Sequence, residues 1–315
     1  KYLMSNILII KHGSLGDIVQ ISGALKDIRA SHKDDKIFIL TTFPYVDLLS
    51  MCPFIDAVLI DKRLSRWNIF YLLKLRKVIA KYKFTKVYDL QNSSRTSFYR
   101  KYLFNIANWS STETALTLGS KKKDFDEDPV LERFKFQLEQ SKVKTNYTTK
   151  PDFSWGVINV DKIVNKYFGK KFVLLLPFAS AHLKNKKWPY YNELIKIIKS
   201  NHKNLEIAIA PGPNEIEESK NFDAVLILNK NEALNIMELA GLIKKSSYVV
   251  ANDTGPAHMA AHLEKNGVVL FGSHTTPKKV SIERENFKPI LVDDLNKLKA
   301  EEVYLKIKDK LKLIN

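Results

Sequence analysis

Strand-sized apolar runs alternate with amphipathic, helix-sized stretches along nearly the whole chain, and few folds accommodate that rhythm. Asn6–Lys11 reads as a buried strand, followed by a glycine-containing loop and a helix from Asp17 to about Ser31. A strand at Lys36–Thr41, a short helix near Tyr45–Met51 and a strand at Ala57–Ile60 come next. A helix over Asn68–Tyr82 and a strand at Lys86–Leu90 complete the first set. The second half repeats the pattern, with strands at Phe172–Leu176, Leu205–Ala210, Val225–Leu228, Tyr248–Ala251 and Val268–Phe271. Its helices are predicted at Tyr190–Ser200, Asn214–Lys220, Ala233–Lys244 and Pro256–Leu263. Repeats of this kind specify parallel sheets flanked by helices.

At 315 residues the chain suits two such domains better than one core. The rhythm weakens between Trp109 and Trp155, where Ser, Thr, Lys and Asp cluster, so the boundary is expected late in that stretch. The expected division is an N-terminal domain over 1–152, a second domain over 153–294, and a closing segment over 295–315. That last segment carries a charged amphipathic helix (about Leu295–Leu313), expected to pack back toward the N-terminal domain. Two doubly wound α/β domains in tandem would face a central cleft, with ligands at the carboxyl ends of the strands.

Charge narrows the partners. The 51 Lys and Arg exceed the 34 Asp and Glu, a net of +17. From Lys62 to Lys101 there are 12 basic residues and one acid, Asp89, so +11 of the total sits in this block. Such a surface attracts polyanions, whether nucleic acid, phosphorylated glycolipid or an anionic membrane; plain solubility is the blander reading of the total. One cysteine, Cys52, excludes an internal disulfide and fits a reducing compartment. No apolar run approaches a membrane span and no charged-then-apolar leader is seen, which points to a cytoplasmic chain.

The sharpest local string is Asn252-Asp253-Thr254-Gly255-Pro256-Ala257-His258, placed between an apolar strand and a helix. Asp253 or Thr254 suits the N-cap and Pro256 the first helical position. The free amides of that turn, backed by the helix dipole, form a ready anion site, and Gly255 lets a phosphate approach the backbone. An ordinary capped helix is the competing meaning. His258 and His262 stand one turn apart, but Met259 occupies the place of the zinc-protease glutamate and no third ligand is evident. His258 lies close enough to the helix start to contact a bound phosphate, His262 reads as a packing or surface residue, and no metal site is expected.

The N-terminal counterpart is Lys11-His12-Gly13-Ser14-Leu15-Gly16-Asp17. It lacks the third glycine of a dinucleotide fingerprint and ends in a carboxylate at the helix start. Asp17 is either a plain N-cap or a base; a helix N-terminus favours its ionised form, which can accept a proton. Lys186-Lys187-Trp188-Pro189 precedes a helix, and its ammonium groups could neutralise a diphosphate or simply decorate a loop. Asp124-Phe125-Asp126-Glu127-Asp128 alternates aspartates as metal-dependent sugar transferases do, but no apolar strand aims them, and a solvated acidic patch is the better reading.

Together these strings resemble glycosyltransferase family 9, the ADP-heptose:lipopolysaccharide heptosyltransferases, from Asn6 to about Pro277. Gly13–Asp17 is similar to the family's Gly-Asp loop, and Tyr88-Asp89-Leu90-Gln91 with Arg95 to its acceptor-domain edge. Lys186–Pro189 is similar to its Lys-x-Trp-Pro, Gly212-Pro213-Asn214-Glu215 to its ribose-binding segment, and Asn252–His258 to its Asp-Thr-Gly-x-x-His signature. The resemblance implies a GT-B fold of two Rossmann-like domains, the first taking the acceptor and the second the nucleotide sugar. It implies an inverting, metal-independent transferase without a cofactor. Asp17 would be the general base and Lys186 would stabilise the departing diphosphate. Glu215 would hold the ribose, Asp253 would lie near the sugar, Thr254 and Gly255 would hold phosphate with His258 beside them, and Ser180 would be a further phosphate contact. Gly13, Ser14, Gln91 and Arg95 would meet the acceptor. The basic block would face an anionic, Kdo-bearing lipid core, with peripheral contact at the cytoplasmic face of the inner membrane. Two places depart from the family: Gly23 replaces a usual proline and would loosen the first helix. Phe271–Pro277 is one residue longer than the family's usual Gly-x-Thr-x-Pro loop, which leaves open whether His274, Thr275 or Thr276 faces the donor.

Two other functions fit parts of the chain. The same fold could take another donor, such as UDP-N-acetylhexosamine, because the motifs constrain the diphosphate better than the base or sugar. A nucleic-acid-binding protein without catalysis is the other, drawing on the basic block and on Trp67, Phe70 and Tyr71 for stacking. Those aromatics read more simply as the buried stripe of a helix, and no nucleic acid is expected as a partner.

Overall fold

The computed structural model describes residues 4–116, 126–169, 171–180 and 183–314. The chain divides into two compact units, Lys1–Trp155 and Gly156–Asn315, each built on one sheet.

Unit 1 carries β1 (Asn6–Ile10), β2 (Lys36–Thr41), β3 (Ala57–Ile60), β4 (Lys86–Asp89) and β5 (Trp109–Ser110) in the order β3-β2-β1-β4-β5. All pairings are parallel. Its helices are α1 (Leu15–Gln20), α2 (Ser22–Ser31), α3 (Val46–Ser50), α4 (Ile69–Lys81), α5 (Ser94–Phe98), α6 (Thr112–Ala115) and α7 (Val130–Gln140). The helix expected over Asp17–Ser31 starts earlier and breaks at Ile21, which ends α1 and opens α2. Gly23, expected to loosen it, instead permits a close approach: a Cβ there would stand 2.0 Å from the Tyr147 carbonyl oxygen. Nearby, the fully buried Asp27 accepts hydrogen bonds from the amides of Asn146, Tyr147 and Thr148, at 3.1, 2.9 and 2.7 Å.

One expectation fails on α4. Trp67 and Phe70 are 92% and 89% exposed and Tyr71 is half-buried; the buried stripe is Leu72, Leu75 and Ile79. Those three pack with Leu8, Ile10, Leu40 and Tyr99, and each fully buried aliphatic side chain stabilises the fold by about 1.5–3 kcal/mol.

Unit 2 carries β6 (Phe172–Leu176), β7 (Glu206–Ile209), β8 (Val225–Leu226), β9 (Tyr248–Asn252), β10 (Gly267–Phe271) and β11 (Phe287–Leu291). Their order is β11-β10-β9-β6-β7-β8, again all parallel. Its helices are α8 (Asp161–Val164), α9 (Tyr191–Asn201), α10 (Ile216–Ser219), α11 (Ile236–Lys245), α12 (Gly255–His262) and α13 (Ala300–Ile314). β11 was not among the expected strands; it contains Pro289, and at a sheet edge the missing amide costs no ladder bond. The closing helix α13 packs within unit 2. Its stripe of Val303, Ile307 and Leu311 packs on Leu194, Ile195 and Ile198 of α9.

In both sheets the order in which strands are added reverses once, between β1 and β4 in unit 1 and between β6 and β9 in unit 2. At such a switch point adjacent crossovers leave to opposite faces, and a crevice opens at the strands' carboxyl ends.

Candidate active site

Most of the site residues read from the sequence lie on the loops at these two switch points, while Glu215 follows β7. In unit 1 the loop after β1 and the first turn of α1 bear Lys11 to Asp17, and the loop after β4 bears Gln91. Gln91 Oε1 accepts from the His12 amide at 2.9 Å and so ties the two loops together. Gly13 has φ +126°, a region that side chains rarely adopt, and a Cβ there would run into the Tyr45 ring at 2.5 Å.

Asp17 is neither the N-cap nor an isolated group. Ser14 is the N-cap of α1, and Asp17 in its first turn reaches back with Oδ2 to the Ser14 amide and hydroxyl, at 2.8 and 2.9 Å. That reciprocal arrangement holds the carboxylate in one orientation. Lys11 Nζ lies 3.4 Å from Oδ1 and also donates to the Leu90 carbonyl at 3.1 Å. The Asp17 side chain remains 40% exposed, so a hydroxyl can reach it. Orientation by an exposed turn and a buried lysine is what a general base needs; the helix start supplies both.

Arg95 is tied into the fold. Its guanidinium donates to the Tyr99 hydroxyl at 2.9 Å and to the Arg63 and Leu64 carbonyls at 3.3 and 2.8 Å. Below it lies a buried acid that the sequence reading missed. Asp61 accepts from Tyr99 Oη at 2.7 Å, from Tyr71 Oη and from the Arg63 amide, and His12 Nε2 lies 2.9 Å from it. Burial would raise the Asp61 carboxyl, but hydrogen bonds from His12, Tyr71 and Tyr99 outweigh it and hold the group well below the usual carboxylate range.

In unit 2, Asn252 ends β9 fully buried. Its Nδ2 donates to the Pro177 carbonyl at 2.7 Å; its Oδ1 accepts from the Trp188 amide and the Tyr191 hydroxyl, at 3.3 and 3.2 Å. One amide thus fixes the loop after β6, the Lys-Lys-Trp-Pro turn and α9. The sequence signal for it was its place beside Asp253 at a strand end. Asp253 itself is 2% exposed. Its Oδ2 takes Lys186 Nζ at 2.6 Å and His274 Nε2 at 2.9 Å, and His258 Nε2 lies 3.9 Å from Oδ1. Burial pushes its carboxyl up, yet the hydrogen bond and charge of Lys186, with His258 and His274, bring it below the ordinary value. Of the three residues left open after β10, His274 is the one on Asp253, while Thr276 Oγ1 accepts from the Lys279 amide at 3.2 Å.

Thr254 is the N-cap of α12, although its hydroxyl turns to the Asn252 carbonyl at 3.3 Å. The amides of Ala257 and His258 reach back to the Thr254 carbonyl, and Pro256 has none, which leaves the Gly255 amide as the first-turn donor for a ligand. His262 is packing, as expected: Arg284 donates to its Nδ1 at 3.1 Å, and burial drives its basicity far down. Glu215 is the N-cap of α10, with Oε2 on the Gly212 amide at 2.8 Å; burial raises its carboxyl. Ser180 is exposed on the loop after β6. Of the acidic string, Asp124 and Phe125 lie outside the described residues, and Asp126 pairs with Arg133 at 3.2 Å.

A model of glycosyltransferase family 9 (heptosyltransferase) matches residues 72–304. The chain belongs to glycosyltransferase family 9. It is a glycosyltransferase, and a nucleic-acid binder without catalysis is set aside. Lipooligosaccharide heptosyltransferase 2 of Campylobacter jejuni subsp. jejuni serotype O:2 is 25% identical over 287 residues, covering 89% of this chain and 84% of that one. The fold is shared with the Escherichia coli heptosyltransferase WaaC solved with ADP (TM-score 0.74, 17% identity, 97% and 99% of the two chains). A family 9 glycosyl transferase from Veillonella parvula DSM 2008 gives a TM-score of 0.77 at 15% identity, over 98% and 97%. The fold class of this family 9 chain is accordingly GT-B, two parallel-sheet α/β units in one chain. Among the described residues no helix is long and apolar enough to cross a membrane.

Proposed function

We propose that this family 9 enzyme transfers heptose from ADP-heptose to the inner core of lipopolysaccharide, onto Kdo or a first heptose, with inversion at the anomeric carbon. The observation that carries the reading is Lys186 held by Asp253 at the start of α12, where a cation and a helix N-terminus meet at one switch point. The heptosyltransferase names of its relatives, and the ADP in a solved structure of the same fold, support the donor.

In this reading unit 1 takes the acceptor and unit 2 the donor. Asp17 removes the proton of the acceptor hydroxyl as its oxygen attacks the anomeric carbon. The bond from that carbon to the diphosphate breaks, and ADP leaves with the electron pair. Negative charge grows on the diphosphate, so the Lys186 ammonium and the Gly255 amide stabilise the transition state more than the ground state. This is the work a divalent metal would otherwise do. Glu215 receives the ribose hydroxyls, while Thr254, His258 and Ser180 border the phosphates. Asp253, being buried, acts as a positioning residue for Lys186. Gly13 and Ser14 border the acceptor, and Gln91 and Arg95 act through the loops they hold. The acceptor is membrane-borne, so the enzyme works at the cytoplasmic face of the inner membrane.

Incubation with ADP-heptose and a deacylated lipid A–Kdo acceptor tests this: the product should gain one heptose by mass. Thermal shifts with ADP and UDP test the base, because a ligand that binds only the folded state raises its stability. Stabilisation by UDP with none by ADP would move the donor to UDP-N-acetylhexosamine.

A further inference from the structure

The exposed start of α4 is built unlike the rest of the surface. Trp67, Ile69, Phe70 and Leu73 are 92%, 65%, 89% and 55% exposed, and Leu64 beside them is 43% exposed. Single exposed apolar residues need no explanation; a contiguous run containing two bare aromatics does.

The run is anchored. Asp61 grips the loop at the Arg63 amide, Arg95 holds the Arg63 and Leu64 carbonyls, and Arg66 lies over the Phe98 ring at 6.0 Å. Asn68 caps α4 through the Tyr71 amide at 3.0 Å. The aromatics are therefore presented by a tied loop and a capped helix.

Their surroundings are of one sign. Lys62, Arg63, Arg66, Lys74, Lys77 and Lys81 are all exposed. The single acid between Lys62 and Lys101, Asp89, is buried. A second copy docked face to face would oppose these cations to themselves, which disfavours a symmetric dimer here. A bilayer with anionic headgroups suits both halves of the patch. Trp and Phe settle at the headgroup–acyl boundary, while Lys and Arg meet the negative surface and bury only their stems.

We propose that Leu64, Trp67, Ile69, Phe70 and Leu73 form the surface by which this protein docks on an anionic lipid bilayer, with Arg66, Lys74 and Lys77 as its electrostatic collar. The inference deepens the proposed function, since a membrane-borne acceptor requires the enzyme at the bilayer, but its test is independent of the donor. A bound aromatic pair supplies partition energy, and the collar supplies an attraction that salt weakens.

The full chain is sedimented with vesicles of phosphatidylglycerol mixed with phosphatidylethanolamine, and with vesicles of phosphatidylcholine alone. Binding is expected to the anionic vesicles and to fall with added salt. W67S/F70S should weaken it at least about tenfold, as should R66E/K74E/K77E. W67S/F70S should leave transfer to the deacylated, water-soluble acceptor unchanged. Equal binding of W67S/F70S and parent overturns the proposal, as does equal binding to neutral and anionic vesicles. It also falls if light scattering finds a dimer that W67S/F70S dissolves, or if an RNA oligonucleotide binds this face more tightly than the vesicles. Vesicle binding by the parent without heptose transfer in the soluble assay would sink the proposed function and leave the docking surface standing.

Discussion

Lys186 and Asp253 meet at 2.6 Å, an ammonium from the turn ahead of α9 on a carboxylate from the start of α12. Residues that act as one unit lose function together. K186A and D253A should each lower turnover by roughly 100- to 1,000-fold. The double variant should be little worse than either alone. Multiplied losses, measured in steady state with saturating donor, would show that the two side chains work separately.

Asp17→Asn keeps an oxygen for the Ser14 amide and removes the ability to take a proton. Turnover should drop by about 100- to 10,000-fold. The melting temperature should barely move, because an exposed helix-start interaction is worth about 1 kcal/mol. Full activity in D17N would remove Asp17 from the chemistry.

Gly23→Ala separates two opposing effects. In a helix interior alanine ordinarily gains about 1 kcal/mol over glycine. Here its methyl would fall 2.0 Å from the Tyr147 carbonyl oxygen, so we expect a loss of about 1–3 kcal/mol in urea unfolding. Gly169→Ala, whose methyl would meet nothing within 4 Å, is the control and should be neutral. Matching midpoints for the two variants would show that the approach of residue 147 is not required.

His262 is held neutral, with its basicity lowered first by burial and then by Arg284 and His258. Above the unfolded histidine value near 6.5 it contributes nothing to pH dependence. Below that value the unfolded chain takes a proton that the folded chain resists, so stability falls with pH, by at most about 1.4 kcal/mol per unit. His262→Gln should flatten the stability profile between pH 6.5 and 5 relative to the parent, by chemical denaturation. Parallel profiles would mean that His262 does not set the slope.

Much of this architecture was readable because its rules are local. Continuous apolar runs such as Phe172–Leu176 are buried on both faces, as parallel strands are, and the loops after β1 and β9 announce themselves by glycine, proline and helix-start residues. Periodicity failed where a helix carries apolar residues all round. Ile69, Phe70, Leu72 and Leu73 cannot all face inward, and the pattern does not say which pair faces out. The partners of α13 were hidden for a related reason: its stripe fits any apolar groove, and only the packed fold selects α9. At the site, sequence placed Asp253 near a ligand, but its engagement with Lys186 and His274 depends on three loops converging. Asn252 signalled only through its place beside Asp253, and Asp61 was silent altogether, since a buried polar group declares itself through its partners.

Asp27 works as a rivet. The chain passing from the first unit to the second is fastened by three consecutive amides to one buried carboxylate, and peeling them away would strand that acceptor in an apolar interior. Residues 146–148 are thereby fastened to α2 within unit 1, ahead of its end at Trp155.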